Sequence, residues 1–149
     1  MARRFAFPGL LALAVLALAV WPGATRGAAE PSEQRTVVAA MFFSNFCGPC
    51  RILDPRLDDV LAIYDDPALD FVKLDQSFSL VTGRRTAELA ERHGISGVYE
   101  QLQGQTGFVA LIDPRDEQVI EIVTIQYSRD DIRDAFDRAV ATVNTREIG

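Results

Sequence analysis

Cys47 and Cys50 are the only cysteines of the chain, and they stand two residues apart in Phe46-Cys47-Gly48-Pro49-Cys50. An apolar run of seven, Val37 to Phe43, precedes them, and a stretch with apolar residues at helical spacing follows. A Cys-x-x-Cys where a buried strand turns into a helix is suited to a dithiol that cycles with its disulfide. Only the thiolate attacks a disulfide, and the first turn of a helix favours that anion through its unpaired N–H groups and positive dipole end. Cys47 stands at that point and takes the attacking role. Cys50, one turn further in, resolves the mixed disulfide formed on Cys47. Phe46, Gly48 and Pro49 support the pair: Gly48 lets a partner's backbone pass close, and Pro49 fixes the helix start without losing a hydrogen bond. A purely structural bridge would close so small a loop that it would remove little entropy from the unfolded chain.

The elements that must hold this pair follow from hydrophobic patterning. Val37 to Phe43 lacks alternation, as expected of a central strand covered on both faces. Ile52, Leu57, Val60, Leu61 and Tyr64 predict a helix from about Cys50 to Asp65, kinked by Pro55 and ended by Asp66-Pro67. Asp70 to Asp75 reads as the next strand, parallel to the first through a right-handed crossover. Arg84 to His93 reads as a second helix with Ala87, Leu89 and Ala90 inward and Gly94 as its cap. Ile95 to Gln105 reads as irregular. Phe108 to Ile112 and Gln118 to Thr124, joined by a turn at Asp113-Pro114, predict an antiparallel hairpin. Ser128 and Asp131 form a capping box for a last helix with an apolar stripe of Ile132, Ala135, Phe136, Ala139, Val140 and Val143.

Residues 1–29 have a different character. Arg3 and Arg4 precede twelve apolar residues, Leu10 to Trp21, and Gly27-Ala28-Ala29 offers small residues before Glu30. This predicts a secretory signal peptide over 1–29 and one domain over 30–149. The alternative is an uncleaved anchor on the outer face of the inner membrane, although twelve residues are short against the ~20 that span hydrocarbon. Removing 1–29 takes away Arg3, Arg4 and Arg26 and no acid, which moves the net charge from −6 to −9. Nucleic acid is therefore excluded as a partner bound through a basic face.

With these residues in place, the chain resembles the thioredoxin family. Phe46 to Cys50 is similar to its Trp-Cys-Gly-Pro-Cys motif, Pro55 falls where the family's helix is kinked, and Phe71-Val72-Lys73-Leu74-Asp75 looks like its third strand. Arg92 to Val98 is similar to the segment that leads to the family's cis-proline. The resemblance implies a three-layer α/β fold with a central mixed sheet of about four strands flanked by helices, without the first strand and helix of a full thioredoxin. It also implies that a groove for the partner's backbone lies at the cis-proline position. That position falls at Tyr99 or at Thr106 and Gly107, none of them proline. These three residues are the candidate substrate-binding positions, with an insertion from Tyr99 to Gln105 expected beside Cys47. Where the family has a buried aspartate that moves the resolving cysteine's proton, this chain has Met41, and Lys73 lacks the acid it would pair with. Asp54 is near in sequence but reads as a solvated helix acid, so exchange is expected to be slowed.

The expected function is an extracytoplasmic, periplasmic thiol–disulfide oxidoreductase acting on cysteine-containing exported proteins and recharged by a membrane or soluble dithiol donor. Gly-Pro between the cysteines resembles the reducing members of the family. The alternatives are a copper(I) chaperone of the same fold, since two thiolates suit a soft ion, and a redox-inert binding module. The chain is read as a monomer with no cofactor and no resident metal. His93, the only histidine, reads as a helix-end cation rather than a ligand. Arg84-Arg85 and Asp130-Asp131 read as solvated helix faces.

Overall fold

The structure is a computed structural model, and it describes residues 36–146. The signal-peptide reading of 1–29 lies outside the described residues. Among those described, no helix is long and apolar enough to cross a membrane.

The apolar run forms β1 (Val37–Phe43), buried over its whole length but for Phe43. It is followed by α1 (Gly48–Leu61), β2 (Leu69–Asp75), α2 (Ser79–Arg92), α3 (Ser96–Leu102), β3 (Phe108–Asp113), β4 (Gln118–Val123) and α4 (Arg129–Thr145). The strands form one sheet in the order β2-β1-β3-β4, with β2 parallel to β1 and β3 antiparallel to both β1 and β4.

Because side chains alternate across a strand, β1 feeds two cores. Val37, Ala39 and Met41 pack with α1 and α4 around Leu53, Leu57, Ile132 and Phe136. Val38, Ala40 and Phe42 pack on the other face with Ala90 of α2 and with Ile95, Val98 and Tyr99 at α3. The result is the three-layer, mixed four-stranded α/β fold that the resemblance implied.

Three local readings change. The helix α1 begins at Gly48 and ends at Leu61, and it turns Cys50, Leu53, Leu57 and Val60 inward while Ile52 faces solvent. The helix α2 starts at Ser79, five residues before Arg84; Thr86 and Ala90 face inward and Ala87 is exposed. The stretch read as irregular contains α3, because Ile95, Val98, Tyr99 and Leu102 fall on one helical face and cover the sheet. The last helix matches its reading: Ser128 Oγ accepts from the Asp131 N–H, the Asp131 carboxylate accepts from the Ser128 N–H, and the whole apolar stripe is buried.

Candidate active site

The strand β1 ends at the sheet centre, and a short turn, with the Cys47 N–H donating to the Ser44 carbonyl at 3.1 Å, carries the chain into α1. Cys47 is the N-cap of α1, and its Sγ accepts from the backbone N–H of Cys50 at 3.1 Å. A sulfur so placed receives one of the helix's unpaired donors and sits at the positive end of its dipole, two effects that favour a thiolate. Pro49 occupies the first turn, where its missing N–H costs nothing. Pro55 lies inside the helix without ending it.

Cys47 and Cys50 are joined by a disulfide with a Cα–Cα distance of 5.2 Å. Cys47 is 9% exposed and Cys50 is 0% exposed, so an incoming group meets Cys47 first. The Phe42 carbonyl lies 3.9 Å from the Cys50 Sγ, an acceptor for that thiol once reduced. A Cβ built on Gly48 would meet nothing within 4 Å. The fold itself therefore does not demand glycine there.

The opposite wall is Gly107. Its φ is +99°, and a Cβ on it would come within 3.2 Å of the Cys47 Sγ and 2.9 Å of the Pro49 Cβ. Its N–H donates to the Phe42 carbonyl at 2.8 Å, which links this wall to the strand that carries the cysteines. Thr106, half-buried, precedes it on the same loop. There is no cis peptide bond among the described residues.

Tyr99 does not join them. It is buried on the α2–α3 face of the sheet, against Phe42 with ring centroids 6.5 Å apart, so a groove-lining role for it does not fit. Its segment was expected as a loop beside Cys47. Its first part is instead α3, and the contact with Cys47 is made by Gly107, just beyond the insertion.

Three features of this corner escaped the sequence reading. Gln76, directly after β2, accepts from the Gly104 N–H at 2.7 Å and donates to the Gln105 carbonyl at 3.0 Å, which ties the loop before Gly107 to the sheet. Phe46 is 73% exposed and meets Phe78 edge to face at 5.6 Å; Phe78, Leu80 and Val81 are also exposed. Lys73 does have an acid: its Nζ lies 2.5 Å from Asp54 Oδ1. Asp54 is thus not a freely solvated helix acid. The pairing depends on how β2 and α1 meet in space, and no spacing along the chain announces it.

His93 stands at the C-cap of α2 before Gly94, whose φ is +68°, and its Nδ1 is paired with Asp70. Arg84, Arg85, Asp130 and Asp131 are exposed, as read, with Asp131 serving the cap of α4.

The thioredoxin family model matches residues 29–98, a span that includes β1, α1, β2, α2 and the start of α3. Neither the comparison with curated proteins nor that with solved structures gives a match. The family match over residues 29–98, the mixed sheet and a Cys-Gly-Pro-Cys pair capping the helix after the central strand give this chain a thioredoxin-like fold, with the equipment for thiol–disulfide exchange in general.

Proposed function

We propose that the protein is an exported thiol–disulfide oxidoreductase that reduces or exchanges disulfides in other exported proteins. The observation that carries the reading is the asymmetry of the pair, with Cys47 capping α1 and still 9% exposed and Cys50 fully enclosed behind it. The Cys47 thiolate attacks one sulfur of a partner disulfide, the S–S bond breaks, and the other partner sulfur leaves as a thiolate. Cys50 then loses its proton and attacks the Cys47 Sγ, which releases the second partner sulfur. The partner gains two electrons, and the protein is left with the Cys47–Cys50 disulfide. A dithiol donor outside the cytoplasm must return it to the reduced form.

Export rests on the leader pattern of residues 1–29. A periplasmic setting is the corresponding compartment, with an uncleaved anchor as the variant reading. The test combines insulin reduction and glutathione equilibration of the purified protein with N-terminal sequencing of the chain recovered from the extracytoplasmic fraction. Exchange through both cysteines and a start at Glu30 are expected. A wild type that neither reduces insulin nor exchanges with glutathione overturns the enzymatic reading.

Gly107 gives the copper(I) reading its one specific support, since it leaves the Cys47 side of the pair without a side chain over it. Stoichiometric copper(I) retained by both thiols after dialysis would favour that function over exchange.

A further inference from the structure

Two irregular segments meet at Cys47. One is the turn 44–46, which carries the chain out of β1, and the other is the loop 103–107 between α3 and β3. How they sit against each other decides how near the Gly107 backbone comes to the Cys47 Sγ, where a single added Cβ would lie 3.2 Å away.

Both segments are held from the end of β2. The Gln76 N–H donates to the Phe43 carbonyl at 2.9 Å, which fixes Gln76 beside the last residue of β1. One position on, Ser77 Oγ accepts from the Asn45 N–H at 2.8 Å and donates to the Asp75 carboxylate, so the turn before Cys47 is tied to Ser77. The Gln76 side chain takes the other segment. Its Oε1 accepts from the Gly104 N–H at 2.7 Å, and its Nε2 donates to the Gln105 carbonyl at 3.0 Å. A carboxamide offers an acceptor and a donor side by side, as a peptide group does. Gln76 therefore pairs with the loop as a short piece of neighbouring strand would.

Gly104 and Gly107 have φ of +87° and +99°, and glycine has more backbone freedom to lose on ordering than any other residue. The Gln105 N–H returns to the Leu102 carbonyl at 3.0 Å, which closes the turn after α3 without joining it to the sheet. The sheet is reached through the Gly107 N–H, which donates to the Phe42 carbonyl, and through Gln76, which holds residues 104 and 105. Because Gln76 and Ser77 are neighbours in the chain, one short segment sets both sides of the corner in which Cys47 stands.

We propose that Gln76 is a positioning residue for exchange with protein disulfides: it holds the loop 104–107 as a preformed wall beside Cys47, so that binding a partner chain does not include ordering the loop. The inference deepens the exchange reading above and rests on it. Gln76 acts on the encounter and not on the sulfur chemistry, because its side-chain bonds run to the loop and the cap of α1 is made by Cys47 itself. A small disulfide needs only the Cys47 sulfur. A protein disulfide brings chain on either side of its cysteine, and that chain meets the wall.

The test mixes the reduced full chain with rising concentrations of insulin or of hydroxyethyl disulfide, quenches with acid, and counts the remaining dithiol by alkylation and mass spectrometry. Wild type is compared with Gln76→Ala and with Gln76→Met, which keeps the length of the side chain but makes neither bond. Both variants should raise the half-saturating insulin concentration about tenfold, the scale of ordering one residue of backbone. The limiting rate with insulin and the rate with hydroxyethyl disulfide should stay within about twofold of wild type, the mark of lost binding and not of lost chemistry. Amide hydrogen exchange of Gly107 in the oxidised protein should quicken about tenfold in both variants, since local opening of the loop exposes it. Should Gln76→Ala unfold, Gln76→Met carries the comparison. An unchanged half-saturating concentration, an equal loss with both disulfides, or a Gly107 amide that exchanges as in wild type overturns the positioning role. A wild type that reduces neither disulfide overturns the exchange reading itself, whereas one that reduces both without dependence on Gln76 overturns the positioning role alone.

Discussion

The two ends of the central strands are finished in opposite ways. Where β3 leaves the sheet, Asp113 is 1% exposed, and its carboxylate accepts from Arg115 Nε at 2.9 Å and from Arg115 Nη2 at 2.6 Å. Arg146, at the C-cap of α4, stands 3.6 Å from the same carboxylate, and Arg115 also reaches the Val143 carbonyl of α4 at 3.4 Å. At the other end, where β1 delivers the cysteines, the polar groups of the Gly104–Gly107 loop are tied to Gln76 and Phe42, while Phe46, Phe78, Leu80 and Val81 lie in solvent. A buried carboxylate needs partners, so the first end is closed by charge pairing. Large apolar groups gain nothing from water. Among the described residues, the second end therefore keeps exposed apolar surface beside the disulfide.

Substitutions can break this contrast, and the largest expected effect falls at the cysteine end on its one position without latitude. Gly107→Ala places a methyl group in a backbone region unfavourable to side chains and against Pro49 and Cys47. It should cost about 3 kcal/mol in urea unfolding, from backbone strain and overpacking together. At the closed end, Asp113→Ala should cost about 2 kcal/mol by the same measurement, as expected for hydrogen bonds to a charged group.

Acid should also weaken the closed end. The hydrogen bonds from Arg115 hold the Asp113 carboxyl below its ordinary value of 3.8, and those from Arg138 hold the Glu121 carboxyl below 4.5. A lowered folded-state value means that the stabilisation is complete above the ordinary values and drains away as pH falls through the lowered ones. Asp113→Ala should therefore flatten the stability profile below about pH 4, where wild type still loses stability. Ser128→Ala, which removes the cap of α4, should cost about 1 kcal/mol. Phe46→Ser should change stability by no more than about 0.5 kcal/mol while weakening capture of partner proteins. If it costs as much as Asp113→Ala, Phe46 belongs to the core and the contrast between the ends fails.

Legibility in the sequence followed how local each signal is. The seven-residue run of β1 and the capping box with its stripe in α4 depend on neighbours along the chain, and both were read to within a residue or two. The start of α2 was hidden because Ser79 to Gly83 presents Leu80 and Val81 to solvent, so its first turns carry no buried face to betray a helix. The α3 pattern was present at Ile95, Val98, Tyr99 and Leu102 but obscured by Gly97, Gly104 and the glutamines around it. The cysteine pair and its neighbours Gly48 and Pro49 were readable from type and spacing. The wall at Gly107 was narrowed to three candidates, and only the antiparallel register of Phe108 with Phe42 places it against Cys47. The Asp54–Lys73 pair joins α1 to β2, and such contacts come from packing rather than pattern.

The central claim is a division of labour between an outer attacking cysteine and an inner resolving one. It is tested most directly by recovering Cys50→Ser and Cys47→Ser variants from cells under non-reducing conditions and counting the mixed disulfides on each. Cys50→Ser should accumulate partner proteins bound through Cys47 and release them with reductant, while Cys47→Ser should carry almost none. Equal capture by both variants, or capture by neither, would contradict the account.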